Sequence, residues 1–202
     1  MIACICNSFL YNFLQRRALK PVKFTPAGLP GLILIEPHIW QDGRGYFFES
    51  YRYDRFLENG IADRFVQDNE SKSSAGVLRG LHYQIEPRRQ AKLVRILKGK
   101  VFDVVVDIRP GSKTFGKYFS MILDGEKKQM LYVPPGFAHG FCTLEDGTEF
   151  FYKVSDFYSP ECERGILWND PDLAIDWPKM NYTFSPKDQK YPRFREVFKK
   201  GL

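Results

Sequence analysis

From Leu93 to Val154 the chain reads as short apolar runs broken by turn signals every eight to twelve residues, and this spacing most restricts what it can fold into. Leu93 to Leu97 and Val101 to Ile108 flank Lys98-Gly99-Lys100, and Tyr118 to Leu123 meets an Asp124-Gly125 turn. Gln129 to Val133 runs into Pro134-Pro135-Gly136, Phe137 to Phe141 follows, and Thr148 to Val154 comes after Asp146-Gly147. Such a series marks a sandwich or barrel rather than a parallel α/β sheet. Val101 to Ile108 is apolar enough for burial on both faces. Aromatic residues make up 16% of the chain, which suits pleated sheets better than helices.

The flanks carry weaker signals. Leu32 to Glu36 and Tyr46 to Tyr51 read as strands separated by the turn at Gln41-Asp42-Gly43-Arg44-Gly45. Asp54 to Asn59 is the plausible helix of this half, stopped by Gly60. Arg64 to Asn69 reads as a strand with a polar end, and Ser71 to Gly76 as a loop. Past Tyr158-Ser159-Pro160 the periodicity fades. Ser185-Pro186-Lys187-Asp188 reads as a turn or helix start, and Arg193 to Lys200 as a short helix with a basic last turn.

The 202 residues suffice for one domain with a sizeable core. Residues 1–21 stand apart: the stretch to Leu14 is apolar, lacks a basic start, is too short and interrupted to span a bilayer, and is followed by Arg16-Arg17. They read as an N-terminal extension, disordered or from a misassigned start, ahead of a single domain over 22–202. Cys4, Cys6, Cys142 and Cys162 lack zinc-ligand spacing and read as reduced thiols of a cytoplasmic protein. A net charge of +6 suits nucleic acid or a small anionic substrate.

Chemistry concentrates between Val77 and Lys92, where Arg79, His82 and Lys92 put three cationic side chains into sixteen residues. On a strand Arg79 and His82 have opposite parity, so both reach one pocket only through a bulge or strand end at Gly80. Three readings compete. A metal-binding jelly roll fits Pro134-x-Gly136-x-x-His139, but Gln84 stands where a second close histidine would be expected, and His38 lies beside Pro37 on an early loop or strand end. A nucleic-acid module fits Arg52-Tyr53 and Arg193-Phe194-Arg195, yet no dense basic stripe appears. Metal-free acid–base chemistry on an anion needs a base, a donor, a cation and anion-binding groups, and His82, Lys92 and Arg79 supply three of these. Tyr152 shares a strand face with Thr148, Phe150 and Val154, so its hydroxyl could point into a barrel or be a satisfied core group. His139 has the same two readings.

Ordered motifs then tie the chain to a known family. They include Asp42-x-Arg44-Gly45-x-Phe47-Phe48-Glu49, Phe65-Val66-Gln67-Asp68-Asn69 and Val77-Leu78-Arg79-Gly80-Leu81-His82-Tyr83-Gln84. Further along come Lys92-Leu93-Val94-Arg95, Pro134-x-Gly136-Phe137-Ala138-His139-Gly140-Phe141, Glu149-Phe150-x-Tyr152-Lys153, Trp168-Asn169-Asp170-Pro171 and Lys187-Asp188. From about Lys23 to Asp188 the chain resembles the dTDP-4-dehydrorhamnose 3,5-epimerases of dTDP-L-rhamnose biosynthesis. The resemblance implies a homodimeric, all-β cupin-type jelly roll with short peripheral helices, working without metal or other cofactor, without nucleic acid and away from membranes. Its substrate would be a dTDP-4-keto-6-deoxyhexose, inverted at C3 and C5. By the same resemblance His82 is the base, Asp188 its orienting carboxylate, Tyr152 the opposing acid and Lys92 the cation that stabilises the enolate. Arg79 and His139 would line the pocket, Arg44, Glu49, Gln67, Asp68, Asn69, Glu163 and Lys187 would bind substrate, and Tyr158 would stack on thymine.

Overall fold

The computed structural model describes residues 22–198, so the reading of residues 1–21 and the end of the expected terminal helix lie outside the described residues. One sheet has six strands, in the order β1 (Lys23–Pro26), β2 (Ile33–Glu36), β10 (Met130–Val133), β7 (Lys92–Lys98), β12 (Thr148–Val154) and β5 (Gln67–Ser73). The other has five: β13 (Glu163–Gly165), β6 (Leu78–Gln84), β11 (Phe137–Thr143), β8 (Lys100–Asp107) and β9 (Tyr118–Asp124). A separate hairpin pairs β3 (Trp40–Asp42) with β4 (Gly45–Phe47), and the helices are α1 (Tyr53–Glu58) and α2 (Phe194–Val197). Adjacent strands pair antiparallel throughout both sheets. From β5 onward the chain changes sheet at every connection except β8 to β9, which makes a jelly-roll sandwich of cupin type.

Three clusters hold the layers together. Between the sheets, Val94, Ile96, Leu131 and Phe150 of one meet Val101, Val105, Phe137 and Phe141 of the other. Behind the five-stranded sheet, Val104, Val106, Ala138 and Cys142 pack under Ile166, Leu173, Trp177 and Phe194 of the C-terminal segment. The unbroken apolar reading of β8 follows directly: its two faces look into different cores. Behind the six-stranded sheet, Ile35, Leu93 and Met130 are covered by Phe56 of α1 and by Ile61.

The structure departs from the sequence reading in informative places. The strand expected over Tyr46 to Tyr51 ends at Phe47, because Glu49 turns toward α1 and pairs with Arg55 at 3.0 Å and Arg52 at 3.4 Å. The stretch read as a loop from Ser71 continues β5 to Ser73, since its backbone is held by the β12 ladder, with Ser71 opposite Phe150 and Ser73 opposite Thr148. That ladder fixes the strand whatever its composition. Strands β1, β3 and β13 are three or four residues long, too short to show alternation in the sequence.

Candidate active site

The inner faces of β5, β12, β7, β6 and β11 enclose a cavity of about 490 Å³ that opens between the sheets. Along β12, Phe150, Tyr152 and Val154 share the inward face, as the alternation requires. On β6 the parity problem of Arg79 and His82 is solved by irregular pairing. His82 stands opposite His139, but Arg79 stands opposite Phe141, so three steps on β6 match two on β11. The extra residue is a β-bulge that turns both side chains into the cavity. Gly80 is needed there: its φ is +137°, and a Cβ would lie 2.5 Å from the Gly140 Cα.

Opposite walls carry complementary groups. His82 on β6 bonds through Nε2 to Asp188 Oδ1 at 2.5 Å, and Asp188 Oδ2 accepts from the Ser185 hydroxyl at 2.7 Å. Burial alone would raise the Asp188 carboxyl. Hydrogen bonds from His82, Ser185 and the Gly80 amide, with the His82 charge, outweigh it and hold Asp188 below the usual carboxylate range. An ionised carboxylate only accepts, so His82 Nε2 carries a proton, and the lone pair a base needs belongs to Nδ1 whenever the ring is neutral.

Lys92 starts β7 on the other sheet, and its ammonium reaches to 3.5 Å from the His82 carbonyl oxygen. Burial pushes this amine down to about 8, against the raising effect of Asp103 and Glu163. Tyr152, also on that sheet, is pushed up by burial while Arg79 opposes, so its phenol keeps its proton at neutral pH. His139 Nε2 bonds to Asp103 Oδ2 at 2.9 Å, and Asp103 Oδ1 is buried without a partner among the described residues. A cation, a proton donor and an imidazole thus converge on one polar space, which is what removing a weakly acidic proton and returning it from another side demands.

At the mouth, Lys187 pairs with Glu163 at 2.7 Å and the Tyr158 hydroxyl donates to Glu163 at 3.0 Å. Burial would raise Glu163, but these partners lower it overall. Tyr158 is 52% exposed, which leaves its ring free for a planar group. Gln67 and Asn69 point inward from β5, whereas Asp68 faces out and is held by Lys153 at 2.8 Å. Arg44 and Glu49 do not line the cavity: Arg44 is clamped by Asp42 on the β3–β4 hairpin, and Glu49 is bound to α1. Gln84, where a metal site would want a ligand, has its amide committed to the backbone. It donates to the Arg88 carbonyl at 2.6 Å and accepts from the Ser159 amide at 2.7 Å.

Sequence reasoning missed Asp103, Ser185, and the Phe141 and Phe150 rings, which stack 4.0 Å apart as the apolar wall. Asp103 did carry a signal, a carboxylate inside an otherwise apolar run.

Residues 26–196 match the family model described as dTDP-4-dehydrorhamnose 3,5-epimerase. A dTDP-4-dehydrorhamnose 3,5-epimerase from Shigella flexneri is 52% identical over 167 residues, covering 82% of this chain and 92% of the relative. One from Pseudomonas aeruginosa is 50% identical over 178 residues, covering 87% and 98%. The crystal structure of a dTDP-6-deoxy-D-glucose-3,5-epimerase from Legionella pneumophila, in complex with dTDP-4-keto-L-rhamnose, superposes with a TM-score of 0.86 at 47% identity, covering 90% of this chain and 97% of the other.

Proposed function

Since the chain belongs to the dTDP-4-dehydrorhamnose 3,5-epimerase family, we propose a mechanism in which its cavity inverts two carbons of a dTDP-4-keto sugar through enolates. The protein is an epimerase of dTDP-L-rhamnose biosynthesis that converts dTDP-4-dehydro-6-deoxy-D-glucose to dTDP-4-dehydro-L-rhamnose. The observation that carries the mechanism is the placement of His82 and Tyr152 on opposite sheets around one cavity.

A proton α to a ketone is weakly acidic, and its removal leaves charge on the C4 oxygen. His82 Nδ1 takes the proton, Asp188 stabilises the imidazolium that forms, and the Lys92 ammonium offsets the charge on oxygen. Tyr152 returns a proton from the other wall, which inverts the centre. No metal takes part in these steps. Arg79, His139, Gln67 and Asn69 hold the sugar and diphosphate, Lys187 with Glu163 meets the phosphates at the mouth, and Tyr158 stacks on thymine.

The enzyme acts as a homodimer in the cytoplasm. The dimer is supported by the β3–β4 hairpin, where Tyr46 and Phe47 are 58% and 69% exposed beside Arg44. Since Arg44 and Glu49 lie outside the cavity of their own chain, their contribution to binding is to a second copy. The cytoplasm is supported by the free buried thiols Cys142 and Cys162, and no described helix is long and apolar enough to cross a membrane.

The test is NMR of dTDP-4-keto-6-deoxyglucose turned over in deuterated water. Inversion with deuterium at both C3 and C5 is expected. Exchange and inversion confined to C3 would mark a one-centre enzyme, and no exchange at all would refute the mechanism.

A further inference from the structure

The turn that supplies Asp188 and Lys187 also places an aromatic ring on the base from behind. Tyr191 lies edge-on to His82, with ring centroids 5.5 Å apart and planes at 68°. Across β13 and β6 the residue facing His82 is Gly165, and a Cβ built there would meet the Tyr191 ring at 2.5 Å. The ring therefore fills the place a side chain opposite His82 would take. Its backbone is pinned on both sides. The Lys190 amide bonds to the Lys187 carbonyl at 3.0 Å, and the Pro192 carbonyl accepts from the Leu167 amide at 2.9 Å. The Tyr191 hydroxyl is buried and has no partner within 3.5 Å among the described residues, with the Lys187 ammonium near enough to oppose the effect of burial on it, so the part of this side chain that packs on His82 is its ring.

We propose that Tyr191 is a positioning residue for His82, its ring fixing the imidazole in the plane and tautomer that the Asp188 bond requires. The proposal rests on the reading of His82 as the base. A ring that tilts loses the 2.5 Å bond to Asp188 and lets the two tautomers exchange, which leaves Nδ1 protonated part of the time. Closed on one side by Tyr191 and on another by Asp188, the imidazole has its remaining edge toward the cavity. The Tyr191 phenol, pushed up to about 12 chiefly by burial, carries no charge in this role.

The experiment compares Tyr191→Phe, Tyr191→Ala and Gly165→Ala, with thermal melting to select folded protein. Tyr191→Phe keeps the ring and should match the parent. Tyr191→Ala should lower kcat by up to about a hundred-fold with KM little changed, the scale of a misplaced reacting group. Gly165→Ala, which displaces the ring without removing it, should fall between. In protein with ¹⁵N-labelled histidine, His82 should show a single Nε2–H tautomer in the parent and Tyr191→Phe, and averaged ring nitrogens in Tyr191→Ala. A parent-like kcat and a single tautomer in Tyr191→Ala would overturn the proposal. So would a loss in Tyr191→Phe as deep as in Tyr191→Ala, because the hydroxyl would then be the working group. The spectra need no substrate: if they behave as expected in a protein that fails to epimerise the dTDP sugar, the functional reading falls and the positioning role stands.

Discussion

The Lys92 ammonium lies 3.5 Å from the carbonyl oxygen of His82, so the cation of one sheet is docked on the backbone of the base carried by the other. Opening the sandwich at this edge would separate the two groups together with their strands.

Lys92 sets an alkaline limit. Burial lowers it to about 8, so at pH 7 it is mostly charged and the charge is lost as pH rises through 8. The profile of kcat/KM should show a falling limb near pH 8. Lys92→Arg, slower because a planar guanidinium replaces a point charge, should lack that limb. The stability effect has the opposite sign. Between about 8 and the ordinary lysine value of 10.5 the unfolded chain binds more protons than the folded one, so unfolding free energy should rise with pH across that window. Urea titrations of parent and Lys92→Met at pH 7 and pH 9.5 would check this, the Met variant lacking the rise.

His82→Ala and Tyr152→Phe should fail differently. Removing the base should abolish both inversion and deuterium uptake, a loss of roughly 10²- to 10⁴-fold. Tyr152→Phe keeps the ring and removes only the donor, so exchange with retained configuration should survive while inversion falls sharply, most of all at C5. A Tyr152→Phe enzyme inverting both centres at the parent rate would make Tyr152 a packing residue.

Asp188→Asn should leave the fold nearly intact and cost about 10²- to 10⁴-fold in kcat, because an amide facing His82 favours the wrong tautomer. Ser185→Ala removes a single bond to the same carboxylate and should cost far less. Equal losses in the two variants would sink this assignment.

The hairpin prediction concerns assembly. Phe47→Asp should shift the protein from dimer to monomer in sedimentation velocity, and Arg44→Ala should raise KM in a protein that stays dimeric. Deleting residues 1–21 should preserve both folding and turnover, since the family match begins at residue 26.

Prolonged chelation should leave turnover unchanged, since the Gln84 amide is tied to backbone groups and His139 to Asp103. Activity lost to a chelator and restored by zinc, iron or manganese would instead revive a metal mechanism.

How legible all this was in the sequence depended on what each strand faces. Strands β7 to β12 border apolar cores, so their runs and turns read clearly. The inward residues of β5, Gln67, Asn69, Ser71 and Ser73, border a polar cavity or its rim, and the alternation that announces a strand was missing. The bulge at Gly80 was readable as a requirement, since Arg79 and His82 could not otherwise share a pocket. The partnership of His82 with Asp188 spans 106 positions, and spacing alone carries no trace of it; only the family resemblance pointed there. Tyr191 and Asp103 went unassigned because each acts by where the fold sets it.

The segment that covers the back of the five-stranded sheet is the same segment that brings Asp188, Lys187 and Tyr191 to the site. On the ribosome, β5 to β12 can close on one another while that segment is still being made, leaving Val104, Val106 and Ala138 bare and His82 without its carboxylate. Activity therefore arrives with the segment from Ile166 to Phe194, at the moment the exposed apolar face is covered. A chain cut short after β12 would be inert and sticky at once, a substrate for proteolysis rather than a slow enzyme.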